Sequence, residues 1–158
     1  MKRIFQILIL GLLVSIIGGC SLFQASPEQI EESRAAFVSL VDKAAVEVEN
    51  GQKVLAEIRH KVDKEGLKKT KALNTLSDAT SIAKAVKDDV IRAQIPQEME
   101  PIREKFIASL DKRIEAYNDL FRYYDFEEEK FRVNGDALLK ESLEMFGEVQ
   151  QDIEQYRK

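Results

Sequence analysis

The sequence predicts an all-α fold, an antiparallel bundle of four helices or of three long ones. One third of the 158 residues are charged, and the chain has no Trp, seven Gly and three Pro, a composition typical of long helices rather than of turn-rich β-sheets. From residue 27 onward, apolar residues recur at spacings of three and four, which place them on one face of a helix. Short stretches that contain Gly or Pro separate four such segments, and short connections join antiparallel neighbours.

The first helix is predicted to begin at Ser26-Pro27-Glu28-Gln29. Ser26 suits the N-cap, Pro27 suits the first helical position, and Gln29 can bond back to the Ser26 backbone as in a capping box. A heptad-like apolar stripe follows: Phe37, Val41, Ala44, Val48, Gly51, Leu55, Ile58 and Val62. Gly51 costs about 1 kcal/mol of helix propensity relative to alanine, so we expect a neighbouring helix to pass close to it.

The second helix is predicted between Gly66, which suits a helix C-terminus, and Ile95-Pro96, where the proline lacks a backbone donor. Its stripe consists mostly of small residues: Ala72, Leu76, Ala79, Ala83, Val86, Val90 and Ala93. Small side chains along the whole stripe indicate that neighbouring helices approach this helix closely.

The third helix is predicted to start near Pro101, with a stripe rich in aromatic residues: Ile102, Phe106, Leu110, Ile114, Tyr117, Phe121 and Tyr124. Asn134-Gly135-Asp136 is typical of a turn and is predicted to precede a fourth helix. The stripe of that helix is Leu139, Ser142, Phe146, Val149, Ile153 and Tyr156. The alternative is that the third and fourth helices run through Gly135 as one bent rod, which would leave three helices.

The N-terminal segment has the layout of a secretory signal. Lys2 and Arg3 form a basic head, and the apolar run Ile4–Ile17 has 14 residues. A membrane-spanning helix needs roughly 20 apolar residues, so an uncleaved anchor is the weaker interpretation. The only cysteine of the chain, Cys20, follows two glycines immediately after this run.

Ile17-Gly18-Gly19-Cys20 resembles the lipobox of bacterial lipoprotein precursors. The resemblance implies that Cys20 receives a diacylglyceryl group, that signal peptidase II cuts before it, and that acyl chains such as palmitate hold the mature protein in the bilayer. It divides the chain into a signal peptide (1–19), a lipidated tether (20–26) and a helical domain (27–158). The expected location is the extracytoplasmic face of the cell membrane, or the outer membrane of a Gram-negative host. In overall design the chain also resembles cell-wall-binding lipoproteins of bacilli.

Charge and motifs exclude several function classes. Of 24 basic side chains, Lys2 and Arg3 leave with the signal; the remaining 22 face 28 acidic ones, and a net charge of −6 argues against a nucleic-acid partner. Glu57-Ile58-Arg59-His60 matches the E-x-x-H of di-iron bundles, but those bundles use two such motifs and His60 is the only histidine. The stripe also places His60 on the outward face. We therefore expect no metal, no cofactor and no catalysis.

Two sets of residues are candidates for partner binding. Lys64, Lys68 and Lys69 belong to a basic cluster around the first interhelical connection, which suits an anionic wall polymer or an envelope protein. Tyr123 and Phe126 lie off the core stripe of the third helix and can form part of a partner surface. Structural roles are the alternative: the lysines balance helix dipoles, and the rings cover the junction between the third and fourth helices.

The sequence thus predicts a membrane-anchored, extracytoplasmic protein that acts by binding or spacing in the cell envelope. The alternative is a carrier that holds a small apolar ligand between the second and third helices, where alanines face large aromatic residues. A carrier requires an internal cavity of about a few hundred Å³.

Overall fold

The part of the chain that the structure describes is an all-α bundle of four helices. The computed structural model describes residues 26–65 and 69–157, with the backbone alone for residues 63–65. The helices are α1 (Pro27–Glu65), α2 (Lys69–Arg92), α3 (Glu100–Phe126) and α4 (Glu129–Ile153), with 3-10 turns at Gln97–Met99 and Glu154–Tyr156. The chain from Glu32 onward forms one compact unit. The predicted fold class is confirmed, and the alternative with three helices is wrong because α3 and α4 are separate.

The ends of the first three helices follow the sequence signals. The Ser26 amide donates to Gln29 Oε1 at 2.9 Å, and the Gln29 amide donates to Ser26 Oγ at 3.2 Å, which is the predicted capping box. Helix α2 ends at Arg92, ahead of Pro96. Pro101 lies in the first turn of α3. These starts and stops depend on local chemistry alone, which is why the sequence predicts them well.

The predicted turn at Asn134-Gly135-Asp136 is wrong, because these residues lie inside α4. The chain turns earlier, at Glu127, which has a left-handed backbone with φ of 62° and donates its amide to the Tyr123 carbonyl. Gly135 is instead buried against α3. A Cβ atom at Gly135 would lie 3.0 Å from Leu120 Cγ and 3.1 Å from the Ala116 carbonyl oxygen. The glycine therefore allows two helices to approach closely.

Two clusters of buried side chains form the core. The first draws on all four helices: Phe37, Val41, Ala44, Val90, Met99, Ile102, Phe106, Leu110, Phe146, Val149 and Ile153. The second draws on α1, α2 and α3: Leu55, Ile58, Ala72, Leu76, Ala83, Tyr117 and Leu120. Most predicted stripe positions are buried or half-buried, but in α4 the buried leucine is Leu138 rather than the half-buried Leu139.

Ion pairs between α3 and α4 show that these two helices run in opposite directions. Lys105, near the start of α3, pairs with Glu148 at 3.0 Å and with Asp152 at 2.8 Å near the end of α4. Further along, Lys112 pairs with Glu141 at 2.6 Å. The hydrogen bonds that Lys105 donates to the Asp152 and Glu148 carboxylates raise the pKa of Lys105. These pairs are partly exposed, so they fix the alignment of α3 and α4 more than they stabilise the bundle.

Candidate functional site

Several predicted site residues fall beyond the described part of the chain. Cys20 and Lys68 lie outside the described residues, as does the side chain of Lys64. Lipid attachment at Cys20 and binding through Lys64 and Lys68 therefore stay predictions. Among the helices in the described ranges, none combines the length and the apolar character needed to cross a bilayer.

Lys69 lies next to the predicted aromatic residues. Its ammonium donates to the Asp125 carbonyl and lies 3.5 Å from Asp125 Oδ1. Since Asp125 is in the last turn of α3, between Tyr123 and Phe126, Lys69 of the basic set lies at the same end of the bundle as the aromatic set. Nothing in the sequence connects Lys69 with Tyr123, because 54 positions separate the two residues.

The two aromatic residues differ in exposure. The Tyr123 ring is half-buried and lies 5.0 Å from the Tyr124 ring, centroid to centroid. Phe126 is 61% exposed, and its ring lies 6.4 Å from Phe131 of α4. We call Phe126 and Phe131 the phenylalanine pair. Only Phe126 of the two candidates is well placed to reach a partner.

Several basic side chains near the phenylalanine pair already have carboxylate partners. Lys130 lies 4.8 Å from the centre of the Phe131 ring and pairs with Glu128 at 2.5 Å. Arg132 donates to Glu129, and this hydrogen bond lowers the pKa of the Glu129 carboxyl. With Lys69 paired to Asp125 as well, this end of the bundle presents mixed charge around exposed rings.

The Glu57 and His60 side chains of the E-x-x-H segment are exposed, whereas Ile58 between them is buried in the second core cluster. His60 is exposed, as predicted, and the Glu57 carboxylate accepts a hydrogen bond from Lys61, which lowers the pKa of Glu57. Arg59 pairs with Asp136 of α4. Within residues 26–65 and 69–157, no group of three or more His, Cys, Asp or Glu side chains is placed to hold a metal ion.

A pocket of about 200 Å³, open to solvent on one side, lies between α1, α2 and α3, where the two core clusters meet; we call it the cavity. Its wall is mostly apolar, and small residues leave the space: Gly51 on α1, and Ala79 and Ala83 on α2. A Cβ atom at Gly51 would lie 2.6 Å from Tyr117 Oη. The expected close approach at Gly51 is thus confirmed, and the glycine leaves room for the Tyr117 hydroxyl beside the cavity.

One charged side chain lies deep in this wall. Arg113 of α3 is 3% exposed, and its Nη1 donates to Tyr117 Oη at a long 3.4 Å. Its Nε and Nη2 atoms are buried without a hydrogen-bond partner. Glu47 and Asp78 also line the cavity, but both are exposed at its mouth, and neither forms an ion pair with Arg113 within the described residues. The cavity therefore joins an apolar wall to an unpaired buried cation.

The carrier alternative predicted from the sequence puts a small apolar ligand between α2 and α3, where alanines face aromatic residues, and this binding stays a prediction. The observed cavity is also lined by α1 and by Arg113, which the sequence did not single out. The signal was present, because Phe106, Leu110, Arg113 and Tyr117 follow one another at spacings of four and three. That spacing puts Arg113 on the inward face of α3.

Comparison of the chain with protein families, with curated proteins and with solved structures finds no match.

Proposed function

We propose that the protein is a non-catalytic binding module of the cell envelope, anchored through acylated Cys20, and that it holds a small apolar ligand in the cavity between α1, α2 and α3. The observation that carries the proposal is the cavity itself, about 200 Å³ with a mostly apolar wall. An engineered apolar cavity of about 150 Å³ in another protein stays dry and binds benzene. A body of one aromatic ring with a small substituent therefore fits.

The entrance of the cavity suits a ligand that comes from water or from the membrane surface. Ile82 of α2 lines it and is 48% exposed. An apolar ligand that covers Ile82 removes this side chain from water, which is favourable. The lipobox at Ile17-Gly18-Gly19-Cys20 supports the location, because small apolar molecules concentrate at the membrane to which an acyl anchor holds the protein.

Filling the cavity is expected to abolish ligand binding. Ala79→Leu adds three carbon atoms to the wall, whereas Ala85→Leu adds the same atoms on the exposed side of the same helix. Fluorobenzene is added to the full chain in lipid nanodiscs, with empty nanodiscs as the blank, and followed by ¹⁹F NMR. We expect a protein-dependent bound signal that Ala79→Leu removes and Ala85→Leu retains, with equal helical circular dichroism. A signal that is absent, or that survives Ala79→Leu, contradicts the proposal.

A separate experiment tests whether Cys20 carries the lipid anchor. Mass spectrometry of the protein extracted from its native membrane should find Cys20 as the first residue and a mass increase equal to a diacylglyceryl group with or without a further acyl chain. A product that retains residues 1–19 with an unmodified thiol would remove the basis for the proposed location.

A second candidate function, capture of an envelope protein, is favoured by the phenylalanine pair. Phe126 is 61% exposed at the end of the bundle where Lys69 also lies. The surrounding charges are mixed, which suits a protein partner better than a uniformly anionic wall polymer.

Cross-linking in the native cells tests this second function. Phe126→Ser should abolish a specific cross-linked product. Ile91→Ser, which removes an exposed apolar side chain from α2 instead, should leave that product unchanged. Equal products from both variants would rule out the phenylalanine pair as the contact.

A further inference from the structure

Arg113, which lines the cavity between α1, α2 and α3, has hydrogen-bond donors that no described group of the protein uses. A guanidinium has five N–H donors in a planar fork. In Arg113 one of these donors reaches Tyr117 Oη at 3.4 Å, and the Nε and Nη2 donors have no partner. The side chain is nine-tenths buried or more, since the residue is 3% exposed.

Such a group costs stability unless something binds it. Burial removes the water that would solvate the cation, and no carboxylate of the described residues replaces that water at Arg113. An apolar residue of similar length would fill the same space at lower cost. Local violations of this kind are expected where a protein keeps a group for binding.

We propose that the cavity binds a small amphiphilic monocarboxylate, whose carboxylate accepts hydrogen bonds from Arg113 and whose apolar body fills the space between α1 and α2. The inference rests on the proposed function as a ligand-binding module and names the chemical class of the ligand. The planar fork of a guanidinium matches the two oxygens of a carboxylate, and Arg113 is one of the residues that line the cavity.

The rest of the lining limits the charge and size of the ligand. Among the described residues that line the cavity, Arg113 is the only cation, whereas Glu47 and Asp78 place two carboxylates at the mouth. Arg113 balances one negative charge on the ligand. The two carboxylates at the mouth repel a ligand that carries a second negative charge. A volume of about 200 Å³ accepts an aromatic or short branched acid and is too small for a long acyl chain.

Two ligands of equal size and different charge test the proposal. Benzoate and its neutral analogue benzamide are titrated calorimetrically into the full chain in nanodiscs, with empty nanodiscs as the blank. We expect benzoate to bind at least about tenfold more tightly than benzamide, as a charge-assisted hydrogen bond predicts. Arg113→Met should bind both ligands equally, and Arg113→Lys should keep a preference for benzoate.

A matched control separates this site from general charge effects. Lys140→Met removes one positive charge from an exposed position on α4, with a side chain 79% exposed, and should leave the preference for benzoate unchanged. A preference that persists in Arg113→Met, or that disappears in Lys140→Met, overturns the proposal.

The outcomes also distinguish this inference from the proposed function. If fluorobenzene binds and benzoate binds no more tightly than benzamide, the carboxylate proposal fails while the apolar cavity site stands. If neither fluorobenzene nor benzoate binds, both fail. Equal helical circular dichroism of Arg113→Met and the unsubstituted protein shows that the comparison is made on folded protein.

Discussion

Arg113→Met is expected to raise the free energy of unfolding by about 1 to 3 kcal/mol in the absence of ligand. Methionine is apolar, flexible and of similar length, so it can occupy the same space without an unsolvated charge. Among the described residues, the hydrogen bond that the substitution removes is the one to Tyr117 Oη, and at 3.4 Å it is too long to contribute much. Thermal unfolding should show a gain of roughly 2 to 4 °C for each kcal/mol.

Lys140→Met is again the control for Arg113→Met, because it makes a similar substitution on the surface. Exposed positions change stability by about 0.5 kcal/mol or less. If Arg113→Met unfolds at the same or a lower temperature than the unsubstituted protein, the guanidinium stabilises the bundle itself. Its lack of buried partners then no longer indicates a ligand.

Gly135→Ala is expected to destabilise the protein by about 1 to 2 kcal/mol, although alanine favours helix formation. The added Cβ would lie 3.1 Å from the Ala116 carbonyl oxygen, a backbone atom that cannot move without displacing α3. The cost of separating α3 and α4 should exceed the gain of about 1 kcal/mol in helix propensity. Urea unfolding followed by circular dichroism measures the difference.

Gly147→Ala, on the same helix, is expected to stabilise the protein. Apart from the adjoining residues and nearby backbone of α4, no atom of the described residues lies within 4 Å of a Cβ built at Gly147, so we expect the helix propensity to decide the effect. We expect a gain of roughly 0.5 to 1 kcal/mol. If both glycine variants gain stability, the close approach of α3 and α4 at Gly135 is contradicted.

Local signals account for most of what the sequence predicted about the fold. The Ser26 cap and the stops at Gly66 and Pro96 depend on backbone chemistry within a few residues, and the apolar spacing identifies the buried faces. The turn predicted at Gly135 is wrong because glycine serves two purposes in proteins. Glycine marks turns, and it also permits helices to touch, and only the neighbouring helix distinguishes them. The turn at Glu127 could not be predicted from the sequence, since non-glycine residues rarely adopt a left-handed backbone.

The candidate site was harder to predict, because it depends on which faces of three helices meet. The alanines of α2 indicated that space was available, yet the same residues could equally have allowed closer packing. Arg113 carries an inward-facing spacing, but a charged residue next to an apolar stripe normally reaches solvent by extending its long side chain. Its burial follows from the way α1 and α2 cover α3, which no local pattern contains.

Crystals of the protein grown with 4-bromobenzoate give the most direct test of the account. The anomalous signal of bromine locates the ring independently of the surrounding protein. We predict a bromine site inside the cavity between α1, α2 and α3, with a carboxylate oxygen within about 3 Å of an Arg113 nitrogen. An empty cavity at saturating 4-bromobenzoate, or a ring whose carboxylate points away from Arg113, would contradict the account.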